Sequence, residues 1–523
     1  MVLGRYSLIP WKQWCYDVID HIAFSAALDL LFASWTPWLW VVPGLLIGLI
    51  FGSIPGLQIS MAMAVFLPVT FGMDFLQAML FLTAIFTGGA YGGGVTAILM
   101  NIPGSSSSIA TAFDGYPMAR QGKHNEALGL GLGASVVGAF IGYIILLVMI
   151  QTLAAFVLKI GPLEMVLVVL WGLTLIATLN DASMAKGILA GFFGLLLSQV
   201  GMSTTGIMRT TIGNPYLIDG ISVVPAMIGI FAASELLRLR GLSYLVENEK
   251  LRDISLMSIL TGVKQTFRYP GVLLRGSIVG AIIGAIPGVG SSVANLVSYG
   301  EAKRKSKTPE AFGKGAPEGV VAAESANSSS EGGSMTALMA LGVPGGAATA
   351  VLLAAFSFHN IVGGPSFIRN QTDLVYAIIL GNLGQVVLLA VVGLLTLRML
   401  GMVVRVPLPY LIPSVLAMCA WGGYGITGTI AGPATVAAFA GLGWLMRRHD
   451  YPVAATVIGL LLGRMMEGEL VRTLQISRGD FLGYVLERPI AMLFFVLLIV
   501  IVIVLPIYKS YRVRRATLPK YEA

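Results

Sequence analysis

Two stretches of this chain share one design: GLLIGLIFGSIPG, from Gly44 to Gly56, and GSIVGAIIGAIPG, from Gly276 to Gly288. Each carries glycines four apart, at Gly44, Gly48 and Gly52 and at Gly276, Gly280 and Gly284. Each then breaks, at Pro55-Gly56 and at Pro287-Gly288. Gly276 stands 232 positions after Gly44, and the other four positions keep that offset. A second pair follows: YGGGVTAILMNIPG (Tyr91 to Gly104) and EGGSMTALMALGVPG (Glu331 to Gly345) match with one residue of slip before Pro103 and Pro344. A unit repeated in this way implies a chain built of two structural repeats.

The surroundings make the breaks hard to accommodate. Of 523 residues, 56% are hydrophobic and 11% charged, where a soluble domain carries about 25% charged residues. Apolar stretches long enough to cross roughly 30 Å of hydrocarbon recur from Trp35 onward. The chain therefore reads as a polytopic integral membrane protein. Proline removes a backbone donor and glycine weakens helical preference. In hydrocarbon, the freed backbone groups must be buried in protein or face a wet cavity. Glycines four apart are a helix-packing stripe, which accounts for the ladder but not for the Pro-Gly at its end.

Loop charge suggests how each ladder enters the membrane. The second is preceded by Lys264 and Arg268 and followed by Lys303, Arg304, Lys305, Lys307 and Lys314, so both flanks read as cytoplasmic. That predicts a re-entrant hairpin over 270–300 with its tip at Pro287-Gly288; the arm from Gly271 to Ile286 would reach about 24 Å at helical rise. The first ladder has no lysine or arginine at its flanks and an aromatic belt at Trp35, Trp38 and Trp40, which reads as a periplasmic entry and a hairpin over 43–72. One motif entering from opposite faces defines an inverted repeat.

The expected fold is all-α, with about 12 spans in two inverted repeats. Residues 1–34 form an N-terminal segment, amphipathic or one further span. Residues 35–240 form the first repeat, with a broken span over 76–115. A cytoplasmic linker covers 241–268. Residues 269–507 form the second repeat, with a broken span over 319–362, and 508–523 are a basic cytoplasmic tail. Span counting places ARQGKH (Ala119 to His124), RLRG (Arg238 to Gly241), RRHD (Arg447 to Asp450) and the tail on one side. Met1 to Asp20 lacks the apolar core of a cleavable signal.

Small polar residues crowd the breaks: Gln58 and Ser60; Asn101 with Ser105 to Ser108; Ser291, Ser292 and Asn295; and ESANSSSEGG, from Glu324 to Gly333. They either satisfy broken backbone and pack helices, or line a site. A half-helix N-terminus, such as Pro103-Gly104-Ser105-Ser106 or Pro344-Gly345-Gly346, suits an anion. The candidate substrate residues are Ser60, Asn101, Gly104, Ser105, Ser106, Ser291, Ser292, Asn327, Ser328, Gly345 and Gly346. The helix breaks are Pro55, Gly56, Pro103, Pro287, Gly288 and Pro344. Unwound carbonyls suit a small cation, Na⁺ or a proton, near Gly56, Gly288, Asn101 and Asn327. Glu324 and Glu331 either bind a cation or proton or, for Glu324, stand at the cytoplasmic mouth.

Other chemistry is not signalled. The sequence has no phosphate-binding Gly-x4-Gly-Lys loop, no His-Glu-x-x-His and no Gly-x-Ser-x-Gly elbow. The four histidines and the two cysteines, Cys15 and Cys419, show no ligand spacing. The net charge of +8 sits in short loops and the tail, as a topology signal, and does not suggest nucleic acid. No catalytic residue and no organic cofactor is expected. The rival readings are a channel with two re-entrant half-helices and an intramembrane serine hydrolase using Ser105 to Ser108 with His359.

The ladders, YGGGVTAILMNIPG, DGYPMARQGK (Asp114 to Lys123), SYGEAKRKSKTPEAFGKGAPEGVVAAESAN (Ser298 to Asn327) and LGVPGGAATAVLLAAF (Leu341 to Phe356) resemble the TctA family, the large permease subunit of tripartite tricarboxylate transporters. The resemblance runs from about Trp38 to Tyr508. It implies a secondary transporter of the bacterial inner membrane with a small membrane subunit and a periplasmic solute-binding protein as partners. It also implies carboxylates such as citrate as substrates and a cation gradient as the driving force. The layout resembles elevator-type carriers by analogy alone. Two positions depart from the family pattern: Asn327 is followed by Ser328 rather than a second asparagine, and Gly94 stands where serine is common.

Overall fold

The computed structural model describes residues 20–54, 57–157, 160–179, 184–203, 205–238, 254–403, 408–478 and 480–500. The tip Pro55-Gly56, residues 241–253 of the 241–268 linker and the 508–523 tail lie outside the described residues. Apart from a short antiparallel ribbon, Gly201–Met202 with Met208–Arg209, the described elements are helices, as the all-α expectation required.

The chain starts with α1 (His21–Phe32), capped where Asp20 Oδ1 accepts the amides of Ile22 and Ala23 at 3.1 Å each. A bend of 63° separates it from the stretch Thr36–Gly52, whose second part, α2 (Val41–Gly52), carries the first ladder. The bend falls at the expected boundary between the N-terminal segment and the first repeat. There follow α3 (Ile59–Phe66), α4 (Phe75–Met100), α5 (Ile109–Arg120), α6 (His124–Val157), α7 (Pro162–Leu179) and α8 (Met184–Ser198). The continuous stretch Val223–Met227, Ile228–Ala233 and Ser234–Arg238, called α9, has a π-helical middle. After α10 (Leu256–Thr266) the order begins again: α11 (Pro270–Gly284), α12 (Gly290–Lys305), α13 (Pro317–Leu341), α14 (Ala347–Phe358), α15 (Thr372–Val403), α16 (Leu408–Thr427), α17 (Ala431–Arg448), α18 (Val453–Ser477) and α19 (Pro489–Ile499).

The ladders are packing surfaces. A Cβ on Gly48 would strike the Ile85 carbonyl and the Gly89 amide, and one on Gly280 would strike Ala326 backbone and the Ser329 hydroxyl. Bare glycine backbone therefore lets α2 lie directly on α4, and α11 on α13. Counterpart helices meet antiparallel. Thr87, Ala90 and Gly94 of α4 face Glu331, Asn327 and Glu324 of α13 in descending order. Leu132 and Gln151 of α6 face Gly393 and Tyr376 of α15.

Basic turns are drawn together at helix ends. Glu235 on α9 receives Arg238 at 2.6 Å and Arg447 at 2.8 Å, and Lys186 donates to the His449 carbonyl at 2.7 Å. Elsewhere Gln121 donates to the Lys314 carbonyl at 2.8 Å, which joins ARQGKH to the basic loop after α12.

The structure narrows two expectations. By length and composition, three described helices can cross a membrane (Phe75–Met100, His124–Leu153 and Thr372–Leu400), or four counting the bent pair as one. Others, such as Pro270–Gly284 and Ala347–Phe358, are apolar but short, because the Pro-Gly breaks cut them. The serine run Glu324 to Gly333 is continuous helix rather than a break. Its hydroxyls fold back onto their own turn, Ser330 donating to the Asn327 carbonyl at 2.6 Å and Ser329 to that of Ala326 at 3.3 Å, so they do not compete with the helix.

Candidate functional site

The helix ends before the breaks are built to stop. α4 closes on Asn101 with φ 57° and α13 on Gly342 with φ 68°, both left-handed C-caps. Gly288 and Gly290, at φ 81° and 69°, turn the chain between α11 and α12. Past each break a new helix begins: α3 at Ile59, α5 after the 3-10 turn Ser106–Ser108, α12 at Gly290 and α14 at Ala347.

All four of these helix starts border one cavity of about 230 Å³. From α3 it takes Gln58, Ile59 and Ser60; from the start of α5, Ser105, Ser106 and Ser107. From α12 it takes Gly288 to Ser292, and from α14 Gly346 to Thr349. Ser292 Oγ donates to Ser106 Oγ at 2.8 Å, joining the starts of α12 and α5 across it. No lining residue is charged. Its polarity comes from serine and threonine hydroxyls and the Gln58 amide, beside helix N-termini that each carry a partial positive charge.

Of the residues expected at a site, Ser60, Ser105, Ser106, Ser291, Ser292, Gly346 and the break residue Gly288 line this cavity. Gly104 and Gly345 stand behind it. A Cβ on Gly104 would strike the Gly52 carbonyl, and one on Gly345 would lie 2.7 Å from Ser334 Oγ. Asn101 is exposed at its C-cap and borders no part of the cavity, while Asn327 and Ser328 are buried in the middle of α13. Of the positions expected near a cation, Gly288 alone reaches the cavity, and Gly56 lies outside the described residues. Asn295 is a clip: its Oδ1 accepts the Ala110 amide at 2.8 Å and its Nδ2 donates to the Ala323 carbonyl at 3.1 Å.

Sequence reasoning missed Phe86, Ser334, Ala454 and Ile458 in the lining. Ser334 was within reach, since it matches Gly94 in the second repeated motif. The two residues from α18 carry no polar signal at all. Glu324 is fully buried, which removes it from any mouth. His359 stacks edge-on against Phe75 at 5.9 Å, and its Nε2 has no hydrogen-bond partner, so it does not hold a serine as a general base would. A larger depression of about 830 Å³ lies near the ends of α7, α15 and α18, with Gln371, Arg464, Glu469 and Arg472 on its wall. It is bigger, but the helix starts converge on the smaller cavity.

The chain is 34% identical over 483 residues, 90% of its length and 94% of the relative's, to an uncharacterised 52.8 kDa protein of the TAR-I ttuC' 3' region of Agrobacterium vitis. It is 34% identical over 240 residues, 45% of this chain and 97% of the relative, to an uncharacterised protein of the TAR-II ttuC' 3' region of the same organism. No solved structure matches it. Residues 38–458 match the tripartite tricarboxylate transporter TctA family, and the chain belongs to that family.

Proposed function

We propose that this chain is the membrane subunit of a secondary transporter that imports a tricarboxylate or another small organic acid across the bacterial inner membrane. It would be driven by a gradient of Na⁺ or protons. A periplasmic binding protein would deliver the substrate, and a small membrane subunit would complete the assembly. The observation that carries this is the uncharged cavity on which four helix N-termini converge. Such ends bind anions through free amides and dipole charge, and broken helices aimed at a midplane site are a transporter device. A cavity of about 230 Å³ is below the roughly 300–1,000 Å³ of drug-sized pockets, which favours a compact metabolite.

The antiparallel pairing of α4 with α13 and of α6 with α15 supports repeats of inverted topology. The paired basic turns support a common cytoplasmic side for them. The larger depression, with Arg464 and Arg472 on its wall, would receive an anionic substrate on the opposite side. By analogy, the layout is that of an elevator-like carrier.

Uptake of a panel of radiolabelled carboxylates into proteoliposomes, with and without candidate binding proteins, tests the reading. Ser105→Ala and Ser291→Ala should each weaken apparent affinity tenfold to a hundredfold, as loss of a hydrogen bond to a charged group of roughly 1.5–3 kcal/mol implies. Unaltered affinity in both variants would move the substrate site elsewhere, and unitary currents would replace the carrier by a channel.

A further inference from the structure

One face of α13 carries a buried polar stripe that the cavity does not use. Glu324, Asn327 and Glu331, spaced three and four apart, share that face and are 0%, 1% and 1% exposed. Both oxygens of Glu324 have donors: Thr111 Oγ1 reaches Oε1 at 2.5 Å and Ser135 Oγ reaches Oε2 at 2.9 Å. Glu331 is different. Its Oε1 accepts from both Thr87 Oγ1 and Tyr143 OH, at 2.7 Å each, while its Oε2 is buried without a partner. One turn earlier, Asn327 donates to the Ala90 carbonyl at 3.2 Å, and its Oδ1 is likewise buried without a partner. Among the described residues, neither glutamate is in an ion pair.

Two orphan acceptors four residues apart on a helix face call for one hydrogen. Buried acceptors without donors are rare in folded proteins, and ionisable groups inside a membrane are functional sites by default. The groups packed around Glu331 are Thr87 on α4, Tyr143 on α6, and Gln385 on α15, which donates to Thr87 Oγ1 at 2.7 Å, while Tyr91 of α4 lies further along, beside Glu324. On the other sides of this turn, Gly332 packs on the backbone of Gly142 and Tyr143 of α6, and Gly333 on the Ala281 carbonyl of α11. The titratable groups nearby are therefore Tyr91, Tyr143 and Glu324, none of which is a cation. A hard metal ion takes roughly six oxygens, but here the hydroxyls already point their hydrogens at Glu331 and offer it few.

We propose that Glu331 is a proton-binding site, separate from the substrate cavity, whose acid hydrogen bridges Oε2 to Asn327 Oδ1. Binding neutralises the carboxylate and satisfies both orphan oxygens. Release leaves an anion still held by Thr87 and Tyr143. Its use as the coupling ion rests on the transporter reading above; the site itself does not.

Infrared difference spectroscopy on the full chain in lipid nanodiscs, titrated with pH, reads the site directly. We expect a protonated-carboxyl band that shifts in D₂O, disappears in Glu331→Gln and persists in Glu324→Gln. Tyr143→Phe should move its titration midpoint, and Ser135→Ala should not. In proteoliposomes, Glu331→Gln should keep counterflow exchange within twofold of the parent while accumulation driven by a pH gradient falls more than tenfold. A band indifferent to Glu331→Gln, or one erased by sodium chloride at fixed pH, overturns the proposal. The band is read without substrate, so it speaks for the site even if the parent protein accumulates no carboxylate, a result that would count against transport alone.

Discussion

Single residues hold the repeats together. Asp114 is fully buried in the middle of α5. Its Oδ1 accepts the amides of Gly313, Gly315 and Ala316 at 2.8–2.9 Å, and its Oδ2 accepts Tyr299 OH at 2.9 Å. One carboxylate thus fixes a loop two hundred positions away. Asp114→Ala leaves those donors buried without an acceptor and should cost on the order of 3 kcal/mol, seen as a lower unfolding temperature of the purified protein. Gly94 acts by absence: a Cβ there would stand 2.7 Å from Glu324 Oε1. Glycine at this position leaves room for the buried carboxylate beside it.

At the scale of elements, the ladder and the break do separate jobs. Gly280→Val would drive a side chain into the backbone of α13, an overpacking that costs typically 1–3 kcal/mol or more. Gly300 on α12 has nothing within 4 Å of its missing Cβ, so Gly300→Ala should leave expression and melting unchanged or slightly improved. Thermal unfolding of the two variants side by side tests this contrast. The helices were largely legible, because apolar length and Pro-Gly punctuation are local signals, and Ser60, Ser105 and Ser291 were found for the same reason. The role of ESANSSSEGG was not legible. Its composition suggested polar groups beside a break, and only the hydroxyl bonds back to the preceding turn show that they sit within a helix. Nor was the clip made by Asn295, since its two partners come from distant parts of the chain. Ala454 and Ile458 become cavity residues only once α18 is placed.

For the molecule as a whole, four helix starts, two from each half of the chain, meet around one cavity, while α4 and α13, and α6 and α15, run antiparallel. If the basic turns mark one side of a membrane, cysteines placed at Arg304 and Arg448 in a background without Cys15 and Cys419 should react with an impermeant maleimide from the same face. Labelling from opposite faces would break the inverted-repeat topology. The uncharged lining of the cavity has a consequence for what it can recognise. Its polar lining is peptide groups, hydroxyls and the Gln58 amide, which do not titrate in the physiological range. The wall therefore looks the same to a ligand at any physiological pH, and selection among the ionised forms of a polyacid is left to the acid's own dissociation constants.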